Sequence, residues 1–318
     1  MKSFYSHGKL LLTGEYVVLD GAIALAVPTV YGQSLDIENG ESGQLKWISL
    51  DENGNPWFET KFDLRNNKIL KPIQNDDPIS HRLLEILNAV KELYPEFLNS
   101  ADGYKITTEL GFPKNWGLGT SSTLISNIAR WATINPYQLL EATFGGSGYD
   151  IACARALGSL TYQLRKQNNE ILNQIQDDQQ RSIKTVDFSP SFHNHIYFVH
   201  LNQKQNSREG IAQYRANTSD VSSSISAINS ITERMITCDS LSEFQKLMED
   251  HEQLISTIIK QKPVKQLLFN DFNGSIKSLG AWGGDFIMVA SDENPTSYFT
   301  SKGYHTILSY SEMILNPQ

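Results

Sequence analysis

Apolar and polar positions alternate with a period of two through much of the first hundred residues. The stretches QSLDIE (33–38), QLKWISL (44–50) and WFETKF (57–62) read as strands, with an Asn-Gly-Asn-Pro turn signal at 53–56. Upstream, KLLLTGEYVVLDG (9–21) carries two short apolar runs around Gly14, and Val17, Val18 and Leu19 suit a strand that stops at Asp20-Gly21. The period then changes. Ile79, Leu83, Leu84, Leu87, Val90 and Leu93 fall on one helical face, with Pro95 beyond its end. YKITTEL (104–110) is a strand that runs directly into a glycine-rich loop, after which Leu124, Ile125, Ile128, Ala129 and Ala132 define an amphipathic helix. A GGSG turn at 145–148 precedes the helical YDIACARAL (149–157), with Gly158 in a C-cap position. HIYFVHL (195–201) reads as a strand, and helical patterns run from Ser207 to about Cys238 and from Leu241 to about Lys260. DFIMVAS (285–291) and YHTILSY (304–310) supply late strands. The polar NNEILNQIQDDQQRS (168–182) reads as a connector, so the pattern predicts a mixed α+β protein of two lobes divided near it.

Composition narrows the function classes. The 318 residues suffice for a sizeable core, and 27 basic against 35 acidic residues give a net charge of −8. An acidic surface argues against a nucleic-acid partner, yet local cations and helix N-termini can still bind a small anion. Two cysteines, Cys153 and Cys238, make no disulfide framework and point to a reducing cytoplasm. The first apolar run holds three leucines, too short for a signal segment, and no stretch has the length of a membrane span.

Two nucleotide-binding patterns are absent. Gly8-Lys9 is followed by Leu10, which rules out a P-loop, and Ser122 stands where the dinucleotide fingerprint needs its third glycine. His193, His195 and His200 lie on or beside one strand without nearby cysteine or carboxylate partners at ligand spacing, and read as ordinary strand histidines. NWGLGTSST (115–123) is chemically richer. A strand, a glycine-rich turn and hydroxyls at a helix start place N–H donors at the positive end of a helix dipole, as a phosphate chain requires. A capped helix start has the same residues. Lys9 beside Gly8, Asp150 at a helix opening and the glycine cluster SLGAWGGD (278–285) add a cation, a carboxylate and a second tight turn. Together these are the parts of a phosphoryl-transfer site.

These segments resemble the GHMP small-molecule kinases. The first family motif is similar to GKLLLTGEYVVLDGAIALAVP (8–28), the second to PKNWGLGTSS (113–122) and the third to GAWGGD (280–285), in order along the whole chain. Gly14-Glu15-Tyr16, GSGYDIA (146–152) and the Gly-Gly-Asp ending at Asp285 resemble the mevalonate-pathway branch, with phosphomevalonate kinases nearest in detail and mevalonate kinases next. Three departures stand out: His7 replaces a proline, Trp282 replaces a glycine, and a carboxylate that helps hold Mg²⁺ in mevalonate kinases has no clear counterpart, Glu141 being out of register.

The resemblance implies an ATP-binding lobe over 1–185, like the second domain of ribosomal protein S5, and a ferredoxin-like lobe over 186–318. ATP would lie on Asn115, Trp116, Gly117, Leu118, Gly119, Thr120, Ser121 and Ser122, with Ser121 on Mg²⁺. Asp150 and Lys9 would be catalytic. Glu15, Tyr16, Ser147, Gly148, Gly280 and Ala281 would bind a small anionic substrate, with Lys204, Ser207 and Arg208 facing its phosphate. A homodimer is compatible with these features. A decarboxylase acting on diphosphomevalonate, a kinase of another small alcohol and a non-catalytic ATP-binding protein are the alternatives.

Overall fold

The computed structural model describes residues 1–65, 68–74, 77–99, 102–165, 180–203, 207–217, 221–282 and 284–316. The strands are β1 (Lys2–Leu11), β2 (Ala24–Gly40), β3 (Gln44–Leu50), β4 (Pro56–Arg65), β5 (Lys68–Gln74), β6 (Gly103–Leu110), β7 (Leu160–Leu164), β8 (Arg181–Thr185), β9 (Ile196–His200), β10 (Ser275–Ser278), β11 (Phe286–Ala290) and β12 (Ile307–Ser309). The helices are α1 (Pro78–Leu93), α2 (Thr120–Ala132), α3 (Pro136–Thr143), α4 (Tyr149–Arg155), α5 (Ser207–Asn217), α6 (Ser222–Thr237), α7 (Leu241–Ile259), α8 (Val264–Leu268), α9 (Thr296–Ser301) and α10 (Tyr310–Met313). They form two compact units. One comprises residues 1–8, 31–114 and 119–155, the other 9–30, 115–118 and 156–318.

In the first unit the strand order is β5-β4-β3-β6-β2, with β3 parallel to β6 and the other neighbours antiparallel. Burial alternates strictly along β3, so Leu45 and Trp47 face a core closed by Phe62, Ile106, Leu87, Ile125 and Ile128. Helix α1 starts where Asp77 accepts from the Ser80 N–H at 2.8 Å and Pro78 sets the first turn; Leu83, Ile86, Leu87 and Val90 form its buried stripe. Helix α2 is fastened by buried polar groups: Asn127 donates to the Gln33 carbonyl at 2.9 Å and its Oδ1 lies 2.8 Å from the Ser6 hydroxyl. Each would be costly to bury alone.

The second unit holds the antiparallel sheet β10-β11-β9-β12, with Val199, Phe269, Phe272, Ile287, Val289 and Phe299 packed together. In this unit the start of β2 pairs with β7, and β7 with β8.

Three local expectations are corrected. Val17–Asp20 is a 3-10 turn, not a strand, because Tyr16 and Gly21 on either side have positive φ (64° and 93°) and reverse the chain. His193–His195 is likewise a 3-10 turn, and the strand begins only at Ile196. The pattern over 207–238 is carried by α5 and α6, with 218–220 outside the described residues. Most of the polar connector, 168–179, also lies outside them. Cys153 and Cys238 are buried. Among the described residues no helix is long and apolar enough to cross a membrane.

Candidate active site

The glycine loop is shaped by backbone that only glycine adopts without strain. Gly117 and Gly119 have φ of +68° and +94°, and Gly119 is the N-cap of α2 without any side-chain cap. The first-turn N–H groups of a helix have no partner within it, so α2 begins in the manner of an anion site. The three hydroxyls there differ. Ser122 is buried and donates to the Gly119 carbonyl at 2.8 Å, Thr120 is half-buried, and Ser121 is exposed. Helix α4, with Asp150 in its first turn, packs beside α2 within the same unit. Asp150 is half-buried, and its Oδ1 accepts from the Ile151 N–H at 3.0 Å. Before it, Ser147 is buried and Gly148 has φ of +87°.

In the second unit the loop residues 115–118 are held from several directions. Lys9 donates from Nζ to the Gly117 carbonyl at 2.9 Å, and from its backbone N–H to the Leu118 carbonyl at 2.9 Å. His200 lies 3.1 Å from the Asn115 carbonyl through Nε2, while its Nδ1 accepts from the Asn202 N–H at 3.3 Å. That second contact places the ring proton on Nε2, aimed at the loop. Trp116 packs edge-on against Phe286, with ring centroids 5.4 Å apart. The Asp285 carboxyl lies against Gly117, so that a Cβ there would sit 2.5 and 2.6 Å from its two oxygens. Leu118 is wholly buried, which leaves only its backbone to serve a ligand; Asn115 is exposed. Sequence reasoning named neither His200 nor Asp285 as a site residue. The Gly-Gly-Asp signature is visible in the sequence, but its contact with Gly117 joins residues about half the chain apart.

The residues assigned to the acceptor lie deeper than expected. Glu15 is fully buried and ion-paired with Lys277, itself fully buried. Burial pushes the Glu15 carboxyl up, opposed by the Lys277 charge beside it. Tyr16 donates to the Ala281 carbonyl at 2.8 Å and stacks on Tyr214; burial and the neighbouring Glu15 raise its pKa to about 12. Gly280 has φ of +62°. Trp282, at φ +54°, turns its indole into a core with Tyr16, Val17, Ala22, Tyr214, Ile228, Ile255 and Ile259, so it fills interior space and is 1% exposed. Lys204 lies outside the described residues, as do the side chains of Ser207 and Arg208, which open α5. Among the described residues no group of three or more His, Cys, Asp or Glu is placed to hold a metal ion.

No family model matches the sequence, and no curated protein matches it. Solved structures do match. A mevalonate kinase superposes with a TM-score of 0.68 at 14% identity over 99% of this chain and all of that one. Streptococcus pneumoniae phosphomevalonate kinase, in complex with phosphomevalonate and AMPPNP, gives 0.66 at 16% identity over 95% of each chain. Lactococcus lactis galactokinase, complexed with galactose, gives 0.64 at 14% identity over 99% of this chain and 95% of that one. The chain therefore has an α+β kinase-type fold spanning its whole length. More particularly, it is the two-lobe fold of the GHMP kinases.

Proposed function

We propose that the chain is an ATP-dependent phosphotransferase that passes the γ-phosphoryl group to a small anionic acceptor of the mevalonate pathway, phosphomevalonate before mevalonate. The observation that carries this reading is the opening of α2: a left-handed glycine in place of a side-chain cap, with the Asp150 helix packed alongside. The match of motif and fold to kinases of small molecules supports it. Lobes over 1–185 and 186–318, and a cytoplasmic location, belong to the same reading.

In this reading Gly117 to Ser122 cradle the β- and γ-phosphates through backbone N–H groups. Ser121, whose hydroxyl is exposed, would hold Mg²⁺, which would supply charge neutralisation on the phosphates. Lys9 is held at the loop by the Gly117 carbonyl and stabilises charge on the transferring group. The bond from the γ-phosphorus to the bridging oxygen breaks, a bond to the acceptor oxygen forms, and ADP departs. With an alcohol acceptor, Asp150 takes the hydroxyl proton. With a phosphate acceptor the attacking oxygen is already anionic, and Asp150 only orients it.

The test is ADP release measured in parallel with mevalonate, phosphomevalonate, diphosphomevalonate, homoserine and galactose. Stimulation by phosphomevalonate without CO₂ release is expected. CO₂ release from diphosphomevalonate would assign a decarboxylase instead, and no stimulation by any acceptor would end the kinase reading.

A further inference from the structure

Four ionisable side chains meet in the interior of the second unit. Glu15, His251 and Lys277 are fully buried and Glu252 is 3% exposed. Lys277, on β10, donates to Glu15 Oε1 and, at 3.0 Å, to the Ser278 carbonyl. His251, on α7, accepts the Gly14 N–H through Nε2 at 2.9 Å and lies 3.4 Å from Glu15 Oε2. Its neighbour Glu252 accepts the Ser278 N–H at 3.1 Å and the Ser278 hydroxyl at 2.6 Å. Among the described residues, Glu15 Oε2 and His251 Nδ1 have no hydrogen-bond partner.

Such a cluster is a poor way to stabilise a fold. Desolvating buried charges commonly costs more than their attraction returns, and well-packed apolar residues serve stability at least as well. Its geometry suggests another use. One arm ends on Gly14 and Glu15, in the turn after Lys9. The other ends on Ser278, at the end of β10 and directly before residues 279–282. Beyond the cluster the same two segments meet again, through the Tyr16 hydroxyl on the Ala281 carbonyl.

We propose that Lys277, backed by His251 and Glu252, is a positioning centre that locks the 14–16 turn and residues 278–282 into one fixed arrangement, and that acceptor binding depends on it while nucleotide binding does not. The acceptor clause rests on the function proposed above and on the family resemblance, which assigns Glu15, Tyr16, Gly280 and Ala281 to the acceptor. Lys277 touches no substrate in this account. Its role is to hold residues that do.

Lys277→Met tests it by amide hydrogen exchange and by kinetics on the full chain. Exchange at residues 14–16 and 278–282 should accelerate at least tenfold, while the amides of the paired strands β9 and β11 keep their wild-type rates. The KM for the acceptor should rise about tenfold, with the KM for ATP within twofold of wild type. Acceleration confined to residues next to 277, equal acceleration throughout the sheet, or equal rises in both KM values would each overturn the proposal. Should the single variant fail to fold, Lys277→Met with Glu15→Gln removes both buried charges, and the same two-segment acceleration is required of it. Exchange needs no acceptor, so its outcome stays separate from whether any acceptor in the panel is phosphorylated.

Discussion

The Asp285 carboxyl occupies the space where a Cβ on Gly117 would sit, closing the room any larger residue would need. Gly117→Ala therefore meets two obstacles, a positive φ worth about 1–2 kcal/mol and contact with the carboxylate. Thermal melting should drop, and binding of a fluorescent ATP analogue should weaken at least tenfold. Adding Asp285→Gly should recover part of the melting loss but not all, because it relieves the contact and leaves φ unchanged. Strictly additive effects of the two substitutions would show that the contact carries no energy.

Asp150→Asn separates the two acceptor chemistries. With an alcohol acceptor the loss of a proton acceptor should lower kcat about 10²–10⁴-fold. With a phosphate acceptor the loss should stay below about tenfold, since no proton has to leave the nucleophile. Nucleotide affinity, read by calorimetry, should be unchanged in both cases. Wild-type turnover with an alcohol would remove Asp150 from the mechanism.

Glu252 gives a stability signal with a defined sign. Burial raises its carboxyl from 4.5 to about 7, opposed by Lys277 and the Ser278 hydrogen bonds. In the folded state it holds a proton that the unfolded chain releases above 4.5, so its contribution weakens as pH climbs from about 4.5 to about 7 and then levels off. Glu252→Gln removes that dependence. Relative to this variant, wild type should lose about 2 kcal/mol between pH 5 and pH 8 in chemical denaturation. His251 works in the opposite sense. Burial and Lys277 hold its pKa well below 6.5, so stability falls as pH drops below that value, and Glu252→Gln should expose this slope. Parallel pH profiles for the two proteins would refute the assignment.

Trp282 combines a large buried side chain with a backbone conformation that disfavours it. Trp282→Ala should cost about 3–5 kcal/mol through the cavity left among Tyr16, Tyr214 and Ile255. Trp282→Gly should be no worse than alanine, and better by about 1 kcal/mol, because φ of +54° suits glycine. Denaturation midpoints of the two variants decide it; a more stable alanine variant would contradict the strain.

The elements with a long, regular period were readable directly: α1, α7, β3, β4 and β6 all fall where the apolar spacing puts them. Helix α3 was overlooked although its start is written in Asn135 and Pro136, because eight residues hold too few apolar repeats to reveal a period. The valines at 17 and 18 misled through β-branching, while the decisive signal was the glycine at 21 and the reversal at Tyr16. The glycine loop, Lys9 and Asp150 could be picked out because local chemistry marks them. Lys277 could not. It is a single lysine in the short strand SIKS, and its partner lies 262 positions away in sequence. Contacts of that separation leave no trace in local pattern.

The membership of the two compact units has a consequence for ancestry and engineering. The chain passes from one to the other at 8/9, 30/31, 114/115, 118/119 and 155/156, the second of these inside the single strand β2. No single cut yields a fragment that contains one unit whole and none of the other. Exchange of one whole compact unit by a single recombination event is therefore closed to this protein.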